Sequence, residues 1–336
     1  MNEVVTKETT PIQRGRKHSA FISKPLFIQS LKSLWVLWLS LTIGAAIVFV
    51  VINMALGSKS LFANIDMDGV STYVRDENLN WLAILGLLEK MGFSLSRIQI
   101  MSQVDLNSIL NELVYKISGV LLPMIYVMIA ANQLIAAQVN DGSMAYILST
   151  PTKRKTVIRT QYTFLIGSII AMYLVITVSS IASEWVSFSV AQASSENPQI
   201  YNPTTSLLFS LGSFCAMFGL AGICFGASSF FNKSTYSIAV GGGACILSFL
   251  SCILGLFGNE VFVAVGVGVK AMSTFNYFSI FTLIDNTSMS SFAKALAGYD
   301  AVLSFQWIWK LGILLAIGIV FAYIGGRRFT KKDLPL

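Results

Sequence analysis

The stretch whose reading decides the fold is Gln138 to Gln161, QVNDGSMAYILSTPTKRKTVIRTQ, the longest basic break between apolar runs inside the chain. Asp141-Gly142 interrupts a helical pattern, and the residue before Pro151 is driven toward extended backbone, so a helix between them is about two turns long. That helix covers Ser143 to Ser149. Its Met144, Ile147 and Leu148 stand at i, i+3 and i+4 and share one apolar face. A second helix is expected next, with Thr150 as cap and Pro151 in its first position. Lys153, Arg154 and Lys155 then fall in its first turns, where the helix dipole disfavours cations. This predicts something anionic nearby.

Composition explains what surrounds the loop. The chain has 336 residues, 54% of them hydrophobic, a mean hydropathy of +0.69 and only 12% charged residues, against about 25% in soluble proteins. It reads as an integral membrane protein of the all-α polytopic class. The net charge of +7 does not point to nucleic acid, because the basic residues flank apolar runs and orient them in a bilayer. Cys215, Cys224, Cys245 and Cys252 lie within apolar runs without a C-x-x-C spacing and read as packing residues. His18 is the single histidine, which removes a histidine-based metal site or catalytic triad.

Six spans are expected: residues 35–56, 117–137, 162–182, 206–230, 236–257 and 307–326, each near the ~20 residues a bilayer needs. Residues 1–20 form a polar tail without a signal-peptide core. Residues 21–34, apolar but carrying Lys24 and Lys32, are expected as an interfacial elbow helix. The insertion 57–116 is polar apart from Trp81 to Met91, which is too short to span and reads as an amphipathic helix. In 258–306 the apolar pieces are also too short, and short re-entrant or surface helices are expected. With both termini cytoplasmic, inner segments hold 15 Lys or Arg and outer ones 8, while acidic residues divide 4 and 12. The connection Ser183 to Thr205, with no Lys or Arg, is the clearest outer loop. The loop 138–161 is then cytoplasmic.

No P-loop sequence occurs, so the chain is not expected to hydrolyse ATP. No carboxylate is placed in mid-span, which argues against an ion-coupled carrier. Gly222-x-x-x-Gly226 permits close helix approach, and Gly241-Gly242-Gly243 permits a kink; helix packing is the simpler reading of both. For the loop helix, two readings stand: its apolar face docks in a cleft of a soluble partner, or it lies on lipid with its cations on headgroup phosphates.

The run Asp141 to Arg154, DGSMAYILSTPTKR, resembles the cytoplasmic loop of ABC exporter permeases of the ABC-two type, the type V exporter fold. There an acidic residue and glycine precede a short apolar helix, a small residue, proline and a basic pair. The acidic position, commonly Glu, is Asp141 here, which keeps the sign and shortens the reach. The resemblance implies a permease in the plasma membrane, dimeric, coupled to a separate cytoplasmic ATPase that would hold the ATP and Mg. A homodimer is expected, with a heterodimer as the alternative. Ser143 to Ser149 would be the coupling helix, with Met144, Ile147 and Leu148 in the ATPase groove and Asp141, Gly142, Pro151, Lys153 and Arg154 setting its orientation. Contact through the first and fifth spans would place Gly241 to Gly243 near the dimer interface. The implied activity is outward movement of an amphipathic or hydrophobic peptide, drug or lipid by alternating access, and GSMAY…LS-P is similar to Gram-positive permeases, some of which handle peptides. The rival reading is a membrane-embedded scaffold or regulator that binds a partner without transport.

Overall fold

The computed structural model describes residues 22–57, 106–149, 152–192, 203–258, 263, 268–296, 298 and 303–332. The tail 1–20 and the expected helix at 81–91 lie outside these residues. In chain order the α-helices are α1 (Lys24–Gly57), α2 (Leu106–Leu134), α3 (Ala136–Asn140), α4 (Ser143–Ser149), α5 (Arg154–Gln192), α6 (Thr204–Phe230), α7 (Ser234–Leu256), α8 (Asn286–Leu296) and α9 (Gln306–Lys331). No strand occurs among the described residues. Six helical segments are long and apolar enough to cross a membrane, in α1, α2 with α3, α5, α6, α7 and α9.

An unbroken stripe explains α1. Leu26, Ser30, Leu34, Trp38, Thr42, Ala45 and Phe49 recur every three or four residues and are buried or partly buried, which keeps them on one face. The stripe does not change phase where the elbow was expected to turn. Residues 24–34 are therefore the opening turns of the spanning helix, and the separate elbow at 21–34 is corrected to a continuous α1. That face lies along α5 in parallel. The Ser23 backbone N–H donates to Thr160 Oγ1 at 2.9 Å, Ser30 Oγ to Gln161 Oε1 at 2.8 Å, and Trp38 Nε1 to the Ser168 carbonyl at 2.9 Å. Their ascending order along both helices fixes the relative direction.

Helix α6 occupies the centre. It packs against α2, α5, α7, α8 and α9 and is buried on nearly every side, as expected for a helix apolar all round. Small residues let its neighbours approach. The starts of α1, α5 and α7 and the ends of α3, α6 and α9 share the end of the bundle that carries α4, called here the loop face; the opposite end is the far face.

At the far face the chain after α7 folds back into the bundle. Short 3-10 helices at Lys270–Phe278 and Ile280–Leu283 precede α8. Ser279 Oγ donates to the Ser248 carbonyl at 2.7 Å, and Ile284 and Met289 lie against Gly212. Ser248 and Gly212 are each eight residues inside their helices, so the segment dips ~12 Å below the helix ends. The expectation for 258–306 is short re-entrant or surface helices, and the described residues of that stretch form short helices packed against α6 and α7. A Cβ on Gly258 would sit 2.1 Å from the Ser273 backbone nitrogen, so glycine at that position permits the return.

Candidate functional site

Between α2 and α5 the backbone turns twice. The chain leaves α2 at Ile135, where the freed Ala136 N–H donates to Ser228 Oγ of α6 at 3.0 Å. It leaves α3 through Asp141 and Gly142, and Gly142 has φ +72°, a left-handed conformation that glycine adopts without strain. This turn sets the direction of α4. Ser143 Oγ donates to the Gln138 carbonyl (3.2 Å) and Thr152 Oγ1 to the Ile147 carbonyl (3.1 Å), fastening α4 at both ends.

The apolar face of α4 turns inward. Met144 is 2% exposed and belongs to the chain's own core, with Ile147 and Leu148 partly buried against it. The expectation that these three fill a groove on a partner is corrected for Met144: the cleft it occupies is formed by its own bundle. Tyr146, two residues on, projects the other way and is 81% exposed. Asp141, Gly142 and Ser149 are exposed beside it, and Asn140 Nδ2 donates to Asp141 Oδ1 at 3.2 Å.

After α4, Thr150 and Pro151 lie outside the described residues. Helix α5 begins at Arg154, later than the expected start at Pro151. Lys153 therefore precedes the first turn, and its carbonyl accepts from the Thr156 and Val157 N–H groups at 2.8 and 3.2 Å. Lys153 and Lys155 are exposed, whereas Arg154 is partly buried and donates through Nη1 to the Lys332 carbonyl at 2.8 Å. Lys332 Nζ in turn donates to the Phe230 carbonyl at 2.8 Å. Burial and the adjacent Arg328 push the Lys332 ammonium down to about 8. Three chain segments are clipped together by bonds to backbone oxygens.

The glycine sets divide sharply. A Cβ on Gly222 would lie 2.2 Å from the Gly318 carbonyl of α9, one on Gly226 3.0 Å from that of Phe321, and one on Gly325 2.7 Å from Gly226 Cα. Helices α6 and α9 therefore cross backbone to backbone, in the manner of small-residue membrane contacts. Gly241 lies against Cys224 and Ala227, and Gly242 against Met128, while Gly243 has open space around it. Of the three glycines expected near a dimer interface, two are engaged within the chain. The four cysteines are free and buried, with Cys224 Sγ and Cys245 Sγ 3.3 Å apart between α6 and α7.

A family profile described as ABC-2 family transporter protein matches residues 27–334, nearly the whole described bundle. The chain belongs to the ABC-2 transporter family. It is the permease subunit of an ABC transporter, a multi-pass membrane protein that associates with an ABC ATPase, and ATP hydrolysis resides in that separate subunit. No curated protein and no solved structure gave a significant match.

At the far face of this ABC-2 permease, buried polar groups meet side chain to side chain. Glu184 Oε1 accepts from Ser180 Oγ at 3.1 Å and from the Tyr115 hydroxyl at 3.4 Å, and its Oε2 accepts from Ser206 Oγ. The carboxylate joins α2, α5 and α6. Lys310 of α9 pairs with Asp285. Burial alone would raise the Asp285 carboxyl; the hydrogen bonds from Lys310 and Ser288 overcome it and hold the group below the usual carboxylate range. Glu184 falls two residues beyond the expected span 162–182, but nothing in the sequence pattern by itself pointed to its partners, or to Tyr146, Gly318 and Gly325. The last two are seven residues apart in α9, a spacing that could have been matched to Gly222 and Gly226.

Proposed function

We propose that this permease exports an amphipathic or hydrophobic substrate by alternating access, as a dimer whose halves are each driven by a cytoplasmic ATPase docked on α4. Both termini and the loop face would then lie in the cytoplasm, and the membrane would be the plasma membrane. The carrying observation is the side-chain division on α4: Met144 anchors the helix in the bundle while Tyr146, 81% exposed, is presented outward. A helix fixed from behind transmits displacement to the bundle, and a rigid aromatic with a hydroxyl suits a binding anchor. Asp141 and Lys153 flank it with opposite charges. ATP and Mg belong to the partner in this reading. Dimer contact is assigned to α1 and α7, where Trp35, Ile43, Leu247 and Leu250 are exposed and Gly243 is unobstructed.

Co-purification of the ATPase with the detergent-solubilised permease tests the docking role. Tyr146→Ala is expected to weaken the complex roughly thirtyfold, the scale of an anchor residue, while the permease still elutes as a folded species. Full-stoichiometry co-purification with Tyr146→Ala would remove the assignment. Substrate-stimulated ATPase activity in reconstituted vesicles separates an exporter from a scaffold that binds the same partner.

A further inference from the structure

Helix α4 is attached to its own bundle on both sides, and the two attachments end on the same turn. On the α2 side the helix breaks at Ile135, and the freed Ala136 N–H donates to Ser228 Oγ at 3.0 Å, with both residues fully buried. On the α5 side, Arg154 Nη1 donates to the Lys332 carbonyl at 2.8 Å, and Lys332 Nζ donates to the Phe230 carbonyl at 2.8 Å. Ser228 and Phe230 both lie in the last turn of α6. Residues 137–142 alone separate the first attachment from α4, and residues 150–153 the second. A cationic donor makes a stronger bond to a carbonyl than a neutral one, and a buried N–H holds its acceptor because an orphan is costly. A displacement of α4 therefore reaches the end of α6 from two sides.

What receives that displacement is α6 and α9 together. Their backbones touch from Gly219, where a Cβ would lie 3.1 Å from the Leu314 carbonyl, to Gly226, whose Cα lies 2.7 Å from the Cβ position of Gly325. Leu314 and Gly325 are eleven residues apart, about 16 Å of helix. At Gly219, Gly222 and Gly226 no side chain stands between the two backbones to absorb a shift by changing rotamer. The pair also holds the far face: Ile284 and Met289 lie against Gly212 of α6, and Asp285 pairs with Lys310 of α9. We infer that α4 drives α6 and α9 as one rigid pair, with Arg154 and Ser228 as the positioning residues that pass its displacement on. The inference rests on docking of the ATPase at α4, and it turns Arg154 toward its own bundle instead of toward the partner. A shift that begins at α4 then arrives at α8, at the opposite end of the bundle.

The test is hydrogen exchange, read by mass spectrometry, on the full-length permease in nanodiscs, alone and with its ATPase, without nucleotide and with ATP, Mg and orthovanadate. In the wild-type complex the ATPase should protect α4, and nucleotide should change exchange in α8. Arg154→Ala and Ser228→Ala should each keep the ATPase at full stoichiometry and α4 protected, while the nucleotide-dependent change in α8 falls by roughly fivefold, the low end of coupling between sites. Arg154→Lys, which keeps a cationic donor of similar reach, should retain that change, as a variant acting through fold damage would not. An undiminished α8 response in either alanine variant, its loss in Arg154→Lys, or its absence from the wild-type complex overturns the inference. Release of the ATPase by Arg154→Ala also overturns it, because that side chain would then face the partner. An unprotected α4 in the wild-type complex removes the docking reading and this inference with it, whereas a protected α4 with an undiminished α8 response in the alanine variants removes this inference alone.

Discussion

The two faces of the bundle handle polar groups in opposite ways. At the far face, Glu184 is held by three hydroxyls from three helices, and Asp285 is neutralised by Lys310. At the loop face, Arg154 and Lys332 donate to backbone carbonyls, and no carboxylate pairs with either among the described residues. One end pairs its charges side chain to side chain, and the described part of the other ties its cations to the backbone. The difference follows from chemistry: a buried carboxylate without donors is costly, whereas cations at an interface keep access to water, lipid phosphate and protein.

The largest way to break this arrangement lies between the faces. Helix α9 carries Lys310 to one end and Lys332 to the other, and Gly222 sets its height against α6. Gly222→Leu forces a side chain into the Gly318 backbone and is expected to cost more than about 3 kcal/mol, seen as loss of a monodisperse species after extraction. Glu184→Ala, which strips the acceptor from Tyr115, Ser180 and Ser206, should cost about 1–2 kcal/mol. A lowered thermal midpoint with ATPase co-purification intact would show that the far face stabilises without docking.

A smaller effect is expected from the ion pair. The folded-state Asp285 carboxyl lies below its unfolded value, so its stabilisation is present above the unfolded value and is lost as pH falls through the folded one. Asp285→Asn should lower stability by less than about 1 kcal/mol near neutrality and abolish the pair's share of the acid-dependent fall, measured as thermal midpoint against pH. Tyr146→Ala is the smallest for stability, within about 0.5 kcal/mol, although it has the largest expected effect on partner binding. A marked loss of stability with Tyr146→Ala would mean that the loop face is as self-contained as the far face.

The legible part of the molecule was local. Apolar length placed the six spans, Asp141-Gly142 ended α3, and the ~12 Å return after α7 was foreshadowed by pieces too short to cross. Misreadings arose where one residue's role depends on what lies opposite. The elbow merged into α1 because Leu26, Ser30 and Leu34 continue the stripe that meets α5. Met144 carries the same i, i+3, i+4 signature whether its face meets a partner or its own bundle. Gly241, Gly242 and Gly243 are indistinguishable as letters, yet only the third is free of intrachain contact.

Sequence alone determined that this chain is a six-span membrane protein with a two-turn helix in a basic loop, since those features rest on hydrophobic length, glycine and proline, which act within a few residues. Tertiary structure decided that α4 turns Met144 in and Tyr146 out, that α6 and α9 cross at Gly222 and Gly318, and that the basic clusters near residues 154 and 332 become one. The physical reason is that facing, close approach and charge crowding are properties of pairs of surfaces, and a linear pattern specifies only one surface of each pair.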